Sequence, residues 1–262
     1  MTRRLGRARF VAAALCAAVL GAAGAARAAS SQAEIGITAE SLSAGYAPWH
    51  EVGFALRHEW APRTQIELTL RETERFDRRD EEIGIGLAAP LPGGFGATLD
   101  ASASPSHAIL PRSSLALGVN RVLGDGWVLG AGLRSTHYDG DRANAVSATL
   151  ERYFASGGGG EWRAAATVVT TRLVGVATSS ALRLQLDRYF GDRARLGLLV
   201  AGGREIDNLG QGALLISNVS SVSLSGRWPI APAWSLLGEV GQHRLGSRYT
   251  RSAGRLGVQL DF

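Results

Sequence analysis

The sequence has one cysteine, no lysine and, after its first 28 residues, no long hydrophobic run. The cysteine, Cys16, lies in a segment that we expect to be cleaved, so the mature chain would hold no disulfide and no thiolate-bound metal. A transmembrane helix needs roughly 18 or more consecutive apolar residues, and the mature chain offers no such stretch. All 28 basic residues are arginine, a bias that reflects genome composition more readily than function.

Residues 1–28 are predicted to be a secretory signal peptide. Four arginines precede an apolar run, and Ala26-Arg27-Ala28 fits a small-x-small cleavage site. The segment holds five arginines and no acid, so the formal charge of +5 belongs to it and the mature chain is near neutral. The basic composition is therefore no evidence for nucleic-acid binding, and we expect no nucleic-acid partner.

Residues 29–262 alternate apolar and polar side chains in fourteen runs separated by turn residues. In one run Leu182, Leu184 and Leu186 alternate with Arg183 and Gln185. The runs are about twice as long as the usual strand of a soluble sandwich, and their length suits a tilted strand that crosses a bilayer. The sequence thus predicts an all-β fold, a single antiparallel transmembrane β-barrel of fourteen strands.

The connections between the runs alternate in length. Short ones such as LPGG and LGDG alternate with longer, more polar ones such as FDRRD, SPSHAILPR and YDGDRANA. Short turns on one side and long loops on the other are typical of outer-membrane barrels, whose short turns face the periplasm. The first connection, APWH, is short where a long loop is expected, which leaves twelve strands as an alternative count.

Aromatic residues concentrate near the ends of the runs. Rings at both rims of a barrel form girdles at the headgroup level, and we expect two such girdles here. The residues are Trp49, Trp60, Phe76, Trp127, Tyr138, Tyr153, Phe154, Trp162, Tyr189, Phe190, Trp228, Trp234, Tyr249 and Phe262.

The chain ends in mid-strand with GRLGVQLDF. A barrel loses its free edges only if the last strand pairs with the first. Arg255, Gly257, Leu260 and Phe262 match the C-terminal signal of outer-membrane proteins, with a polar residue, a glycine, an apolar residue and a terminal aromatic. We therefore expect the outer-membrane barrel-assembly machinery as a partner, and outer-membrane lipid and lipopolysaccharide as the surroundings.

Several segments resemble the YaiO family of outer-membrane β-barrel proteins. They include ILPRSSLALGVNRVLGDGWVLGAGLRSTHY, LDRYFGDRARLGLLVAGGREID and SGRWPIAPAWSLLGEVGQHRLGSRYTRSAGRLGVQLDF, and they span most of the mature chain in order. The resemblance implies an outer-membrane barrel. It also implies a link to surface polysaccharide, since some relatives carry helical repeats or lie near sugar-processing proteins.

The polar face of the predicted strands would line the lumen. It carries charges of both signs, which in a channel would select solutes and in a closed barrel would fill the interior as ion pairs. The candidates are Arg57, Glu59, Glu67, Arg71, Arg75, Asp100, Arg134, Glu151, Arg163, Arg183, Asp187, Arg195, Glu205, Arg227 and Glu239. A barrel of this size would be wider than an eight-stranded one and narrower than a porin of sixteen to eighteen strands.

We predict a passive channel for small polar or sugar-like solutes. One alternative is a closed barrel whose loops bind partners at the cell surface. Another is a rim hydrolase built on His137 and Asp139, although no histidine has a serine two residues away. The sequence shows no metal-ligand spacing and no phosphate-binding loop, so we expect no cofactor and no metal.

Overall fold

The computed structural model describes residues 30–156, 160–208 and 214–262. The predicted signal peptide, residues 1–28, lies outside the described residues. The described strands are β1 (Ser30–Leu42), β2 (Trp49–Ala61), β3 (Thr64–Arg75), β4 (Arg78–Leu91), β5 (Phe95–Ala103), β6 (Ser113–Gly124), β7 (Trp127–His137), β8 (Arg142–Ser156), β9 (Gly160–Leu173), β10 (Ala177–Phe190), β11 (Ala194–Asn208), β12 (Leu214–Pro229), β13 (Trp234–Leu245) and β14 (Tyr249–Asp261). A short 3-10 turn, Pro92–Gly94, joins β4 to β5.

Each strand pairs antiparallel with its neighbours in sequence, and β1 pairs with β14 to close the ring. Beyond the last strand residue, the backbone N–H of Phe262 donates to the carbonyl of Ser31 at 2.8 Å, and the N–H of Ser31 donates to the carbonyl of Phe262 at 2.8 Å. The fourteen-strand prediction is confirmed, and the first strand, which the short APWH connection had put in doubt, is complete.

The alternation of the sequence becomes two faces of one curved sheet. On β10, Leu182, Leu184 and Leu186 are exposed, whereas Asp187 is fully buried. Since successive side chains point to opposite faces of a strand, the exposed aliphatic residues define the outer face and the alternate positions the inner face. The barrel interior is therefore lined by polar, charged and small residues.

The connections divide between two ends of the barrel. We call the end that carries residues 62–63, 92–94, 125–126, 191–193, 230–233 and both described chain ends the turn end. The opposite end, the loop end, carries residues 43–48, 76–77, 104–112, 138–141, 174–176 and 246–248. Two connections fall on residues 157–159 and 209–213, outside the described residues.

Most connections at the loop end are shorter than expected. The FDRRD segment shrinks to a two-residue turn at Phe76 and Asp77, whose φ angles are 52° and 58°, and its last residues belong to β4. The polar residues there remain part of the strands beyond the last aliphatic position, because their backbones still pair with the neighbouring strand. Among the described loop-end connections, only residues 104–112 form the long loop that the sequence predicts.

Only one aromatic girdle faces outward among the described residues. Eight residues of the strands place rings at outward positions near the turn end: Trp60, Phe95, Trp127, Phe154, Trp162, Phe190, Trp228 and Trp234. At the loop end, Trp49, Phe76 and Tyr249 pack against one another at the barrel mouth. The expectation of a second girdle is wrong, because the outward strand positions at the loop end are polar, as Glu72, Arg79 and Arg172 illustrate.

Candidate functional site

The structure places the predicted lumen residues whose side chains it describes, all except Glu205, on the inner face, and it divides them into a paired and an unpaired set. The register sets Arg57 opposite Glu67, Arg195 opposite Arg227, and Glu239 opposite Arg255. The backbone of Glu205 pairs with that of Ser217. The sequence pattern found the correct face because the alternation runs through every strand, but it could not show which charges meet.

The strongest charge cluster spans β8 to β11 near the turn end. The Arg163 guanidinium donates to both oxygens of Glu151, at 2.8 and 2.9 Å, and to Oδ2 of Asp187 at 2.9 Å. Asp187 is fully buried; it also accepts from the Gln185 amide at 2.9 Å and lies 3.9 Å from Nη1 of Arg195. Two carboxylates thus share one arginine across three strands.

A second set of pairs covers the inner face of β1 to β4. Arg57 forms an ion pair with Glu67 and bonds the Gln32 side chain at 3.3 Å. Arg71 donates to Glu82 at 2.7 Å and lies 3.6 Å from Glu51. These side chains hold neighbouring strands together, and they leave the centre of the lumen to smaller residues.

Two arginines, Arg227 and Arg193, hold the turns together at the turn-end mouth, and sequence reasoning missed Arg193. Arg227 of β12 donates to the carbonyl groups of Asp192 and Arg193 at 3.0 and 2.8 Å, which holds that turn against the inner face. Arg193 in turn donates to the carbonyls of Ala231, Pro232 and Trp234 at 3.1, 2.6 and 3.1 Å, and lies 3.4 Å from Asp261. Sequence reasoning missed Arg193 because it lies in a turn, where no alternation of side chains marks the inward positions.

Three exposed charged residues of the predicted set point into the lumen without partners among the described side chains. Asp100, Arg134 and Arg183 are exposed and form no ion pair or hydrogen bond with any side chain that the structure describes. The register places Ala116 between Asp100 and Arg134, and Thr167 and Ala201 on either side of Arg183. Small neighbours leave each of these charges free to reach solvent inside the barrel.

A polar cavity of about 130 Å³ lies against this part of the wall. Asp100 and Glu67 line one side of it and Arg134 the other, with Gly84, Gly86, Ser102, Ser114 and Ala116 between them. A Cβ atom at Gly86 would lie 3.0 Å from the Asp100 carboxylate, so larger residues there would fill the cavity. The cavity therefore has acidic and basic side chains on opposite sides, separated by a wall of small residues.

The long loop of residues 104–112 is anchored inside the loop end. The Asp80 carboxylate, fully buried on the inner face of β4, accepts the backbone N–H groups of Ile109 and Leu110 at 2.6 and 2.7 Å. His107 of the same loop lies 3.1 Å from the Asp139 carboxylate. The loop is therefore folded over part of the mouth by specific contacts.

Trp49 closes another sector of the loop end. The residue is 5% exposed, and the guanidinium carbons of Arg75 and Arg251 lie 4.7 and 5.3 Å from the centre of its ring. Phe76 and Tyr249 meet the ring edge-on at 5.1 and 6.1 Å. This group joins residues of β14, β2 and β3 at the mouth.

A sequence profile of the YaiO membrane beta barrel domain matches residues 30–205. The chain belongs to the YaiO family. It is an outer-membrane β-barrel protein, as the closed ring, the exposed aliphatic outer face and the polar interior require together. No curated protein sequence matches this YaiO chain.

Two solved structures share the architecture of this YaiO barrel. The outer-membrane protein Omp33 of Acinetobacter baumannii has 11% sequence identity and a TM-score of 0.55, covering 90% of this chain and 100% of its own. A bacterial polysaccharide outer membrane secretin has 8% identity and a TM-score of 0.54, covering 91% of this chain and 100% of its own. At such low identity these similarities show the fold alone.

The histidines of this YaiO barrel do not form the rim site that the sequence suggested. Asp139 pairs with His107 rather than with His137, because the loop of residues 104–112 folds toward it. A Ser31–His58 hydrogen bond of 2.9 Å joins β1 to β2 on the outer face, a cross-strand pair that no sequence spacing reveals. No carboxylate of the described residues is paired with His58, so the orienting member of a triad is missing there.

No described residues form a group of three or more histidine, aspartate or glutamate side chains suited to a metal ion. Within the same parts of the chain, no helix is long and apolar enough to cross a membrane.

Proposed function

We propose that this protein is a passive outer-membrane channel for small polar solutes, sugar-like compounds among them. The observation that carries the proposal is the solvent exposure of charged side chains inside a closed ring of strands. The side chains of Arg57, Arg255 and Arg195 are 45%, 40% and 37% exposed although all three lie on the inner face. A barrel filled by its own side chains would bury them, whereas a water-filled lumen hydrates them.

The lining supports a path for polar solutes along β4 to β7. Gly84, Ser102, Ser114 and Gly132 occupy inner positions there, and none of their side chains can reach across the barrel. Hydroxyl and backbone groups bond to sugar hydroxyls, and the Arg134 guanidinium provides several donors beside the Asp100 acceptor. A solute would thus exchange its water for fixed polar partners, as selective pores require.

Charge is distributed unevenly around the lumen. The inner positions of β1 to β5 hold eight acidic and four basic residues, whereas the unpaired Arg134 of β7 and Arg183 of β10 project from strands outside that sector. Such an arrangement sets up a transverse field that orients dipolar solutes and favours water-soluble, polar cargo. The turn end, with the short turns and both described chain ends, would face the periplasm.

Single-channel recording in a planar bilayer tests the proposal. We expect stable conductance steps from residues 29–262, and a shift toward cation selectivity when Arg134→Glu and Arg183→Glu are combined. Arg172→Glu on the outer face of β9 is the matched control and should leave the reversal potential unchanged. Oligosaccharides that enter the lumen should reduce the current.

A folded protein that never conducts would refute the channel. It would favour a closed barrel whose loop of residues 104–112 binds a partner, and replacing that loop should then abolish binding. We propose no enzymatic activity. The contradicting result would be that purified protein hydrolyses an ester or a peptide and that His107→Ala or His58→Ala abolishes this hydrolysis.

A further inference from the structure

The outer surface at the turn end carries three arginines among its aromatic rings. Arg121 of β6, Arg152 of β8 and Arg188 of β10 occupy outward positions within four residues of the ends of their strands. The Arg121 guanidinium carbon lies 5.0 Å from the centre of the Phe95 ring, and that of Arg152 lies 5.0 Å from the Trp127 ring. The three cations therefore share one level of the barrel.

Arg188 is held by two rings at once. Its guanidinium carbon lies 4.7 Å from the Phe190 ring and 5.3 Å from the Trp162 ring. Its Nε atom is buried and has no hydrogen-bond partner among the described residues. The two rings hold the guanidinium at this level of the barrel. A planar guanidinium fork matches the geometry of a phosphate group.

No acidic side chain offsets these arginines on the outer face. Among the described strands, the acidic residues at outward positions are Glu72, Glu74 and Glu81, and all three lie near the loop end. Asp125 and Asp192 lie in the turns below the belt rather than on its strands. The turn-end belt of rings and Arg121, Arg152 and Arg188 is thus uniformly basic.

We propose that this belt binds the phosphate headgroups of anionic phospholipids in the leaflet that meets the turn end. The rings sit at the headgroup level, where aromatic side chains collect. The arginine stems run along the apolar surface and bring the charged heads to the same level. The strands beside one another are about 4.8 Å apart, so the arginines on every second strand stand about 10 Å apart around the rim.

Native mass spectrometry of the protein released from nanodiscs tests this binding. The discs hold equal amounts of phosphatidylglycerol and phosphatidylethanolamine, and the readout is the ratio of the two lipids that remain bound. Wild-type protein should retain mainly phosphatidylglycerol. The combined variant R121Q/R152Q/R188Q should lose that preference. Each arginine removed should weaken the affinity for phosphatidylglycerol by about fivefold.

The matched control neutralises three outward arginines at the loop end, R142Q/R172Q/R244Q, and should keep the preference. Equal retention of the two lipids by wild-type protein would overturn the proposal, and so would an equal loss in both triple variants. Heat-modifiable gel mobility verifies folding of each variant.

If the glutamine variant fails to fold, R121K/R152K/R188K supplies the comparison. This lysine variant should keep part of the preference for phosphatidylglycerol, and it should lose more of that preference than wild-type protein does as the salt concentration is raised. A lysine variant with no preference at low salt, or with wild-type salt dependence, would contradict the role of stacked guanidinium groups.

Discussion

Replacing Arg163 should destabilise the barrel far more than replacing another lumen arginine. In the variant Arg163→Met, the fully buried Asp187 loses its 2.9 Å partner, and Glu151 loses both of its bonds to the guanidinium. Removing one member of a buried ion pair costs about 3–5 kcal/mol because the remaining charge is buried without compensation. The Arg163 side chain is itself 19% exposed, and Asp187 keeps its hydrogen bond from the Gln185 amide and the nearby Arg195. We therefore expect the lower end of that range, about 3 kcal/mol.

The control is Arg57→Met, which also removes one arginine from an inner-face ion pair. Arg57 and Glu67 are 45% and 31% exposed, and water can solvate the carboxylate that remains. An exposed pair contributes about 0.2–1 kcal/mol, so this variant should lose no more than that. The two variants thus differ in the burial of the remaining carboxylate.

Urea titration of protein in detergent micelles measures both variants, with the folded fraction taken from heat-modifiable gel mobility and tryptophan fluorescence. Adding Asp187→Asn to Arg163→Met should recover part of the loss, because the uncompensated buried charge disappears. Equal losses for Arg163→Met and Arg57→Met would refute this reasoning. A double variant less stable than Arg163→Met alone would also contradict it.

Three further predictions follow from the contacts at the two ends. Trp49→Ala should lower the free energy of unfolding by about 3–5 kcal/mol in the same titration, since the ring is almost fully buried. Gly197→Ala should cost about 1–3 kcal/mol because its Cβ would lie 2.5 Å from the Asp187 carboxylate, whereas Gly53→Ala, with nothing within 4 Å, should cost less. Asp80→Ala should speed trypsin cleavage after Arg112, because two backbone N–H groups of the loop lose their acceptor; an unchanged cleavage rate would show that the carboxylate does not anchor the loop.

The strand number and the inner face could be predicted because both depend on local alternation. Leu184 and Arg183 point to opposite sides whatever the rest of the chain does. The pairing of Arg163 with Asp187 could not be predicted, because it depends on the register between β9 and β10, and a shift of one residue would reverse the faces. The contacts of Arg193 could not be predicted for another reason. A turn residue follows no alternating pattern, and the partners of Arg193 lie in a connection far along the chain.

The residues that we predict to form a C-terminal assembly signal also build the seam that closes the ring. Arg255 pairs with Glu34 across the seam, and Gly257 lies opposite Gly36. A Cβ atom at Gly257 would approach the Ile35 carbonyl oxygen to 2.9 Å, so the backbones of β14 and β1 leave no room for a side chain there. The last strand therefore carries the predicted assembly residues and the closing contacts on the same few positions. A substitution at Gly257 would disturb both, whereas one at Phe262, whose backbone makes the closing bonds to Ser31, would alter the aromatic ring and leave those bonds in place. Comparing the two variants separates recognition of the strand from closure of the barrel: Phe262→Ala should slow assembly in cells yet refold in detergent, and Gly257→Val should fail in both.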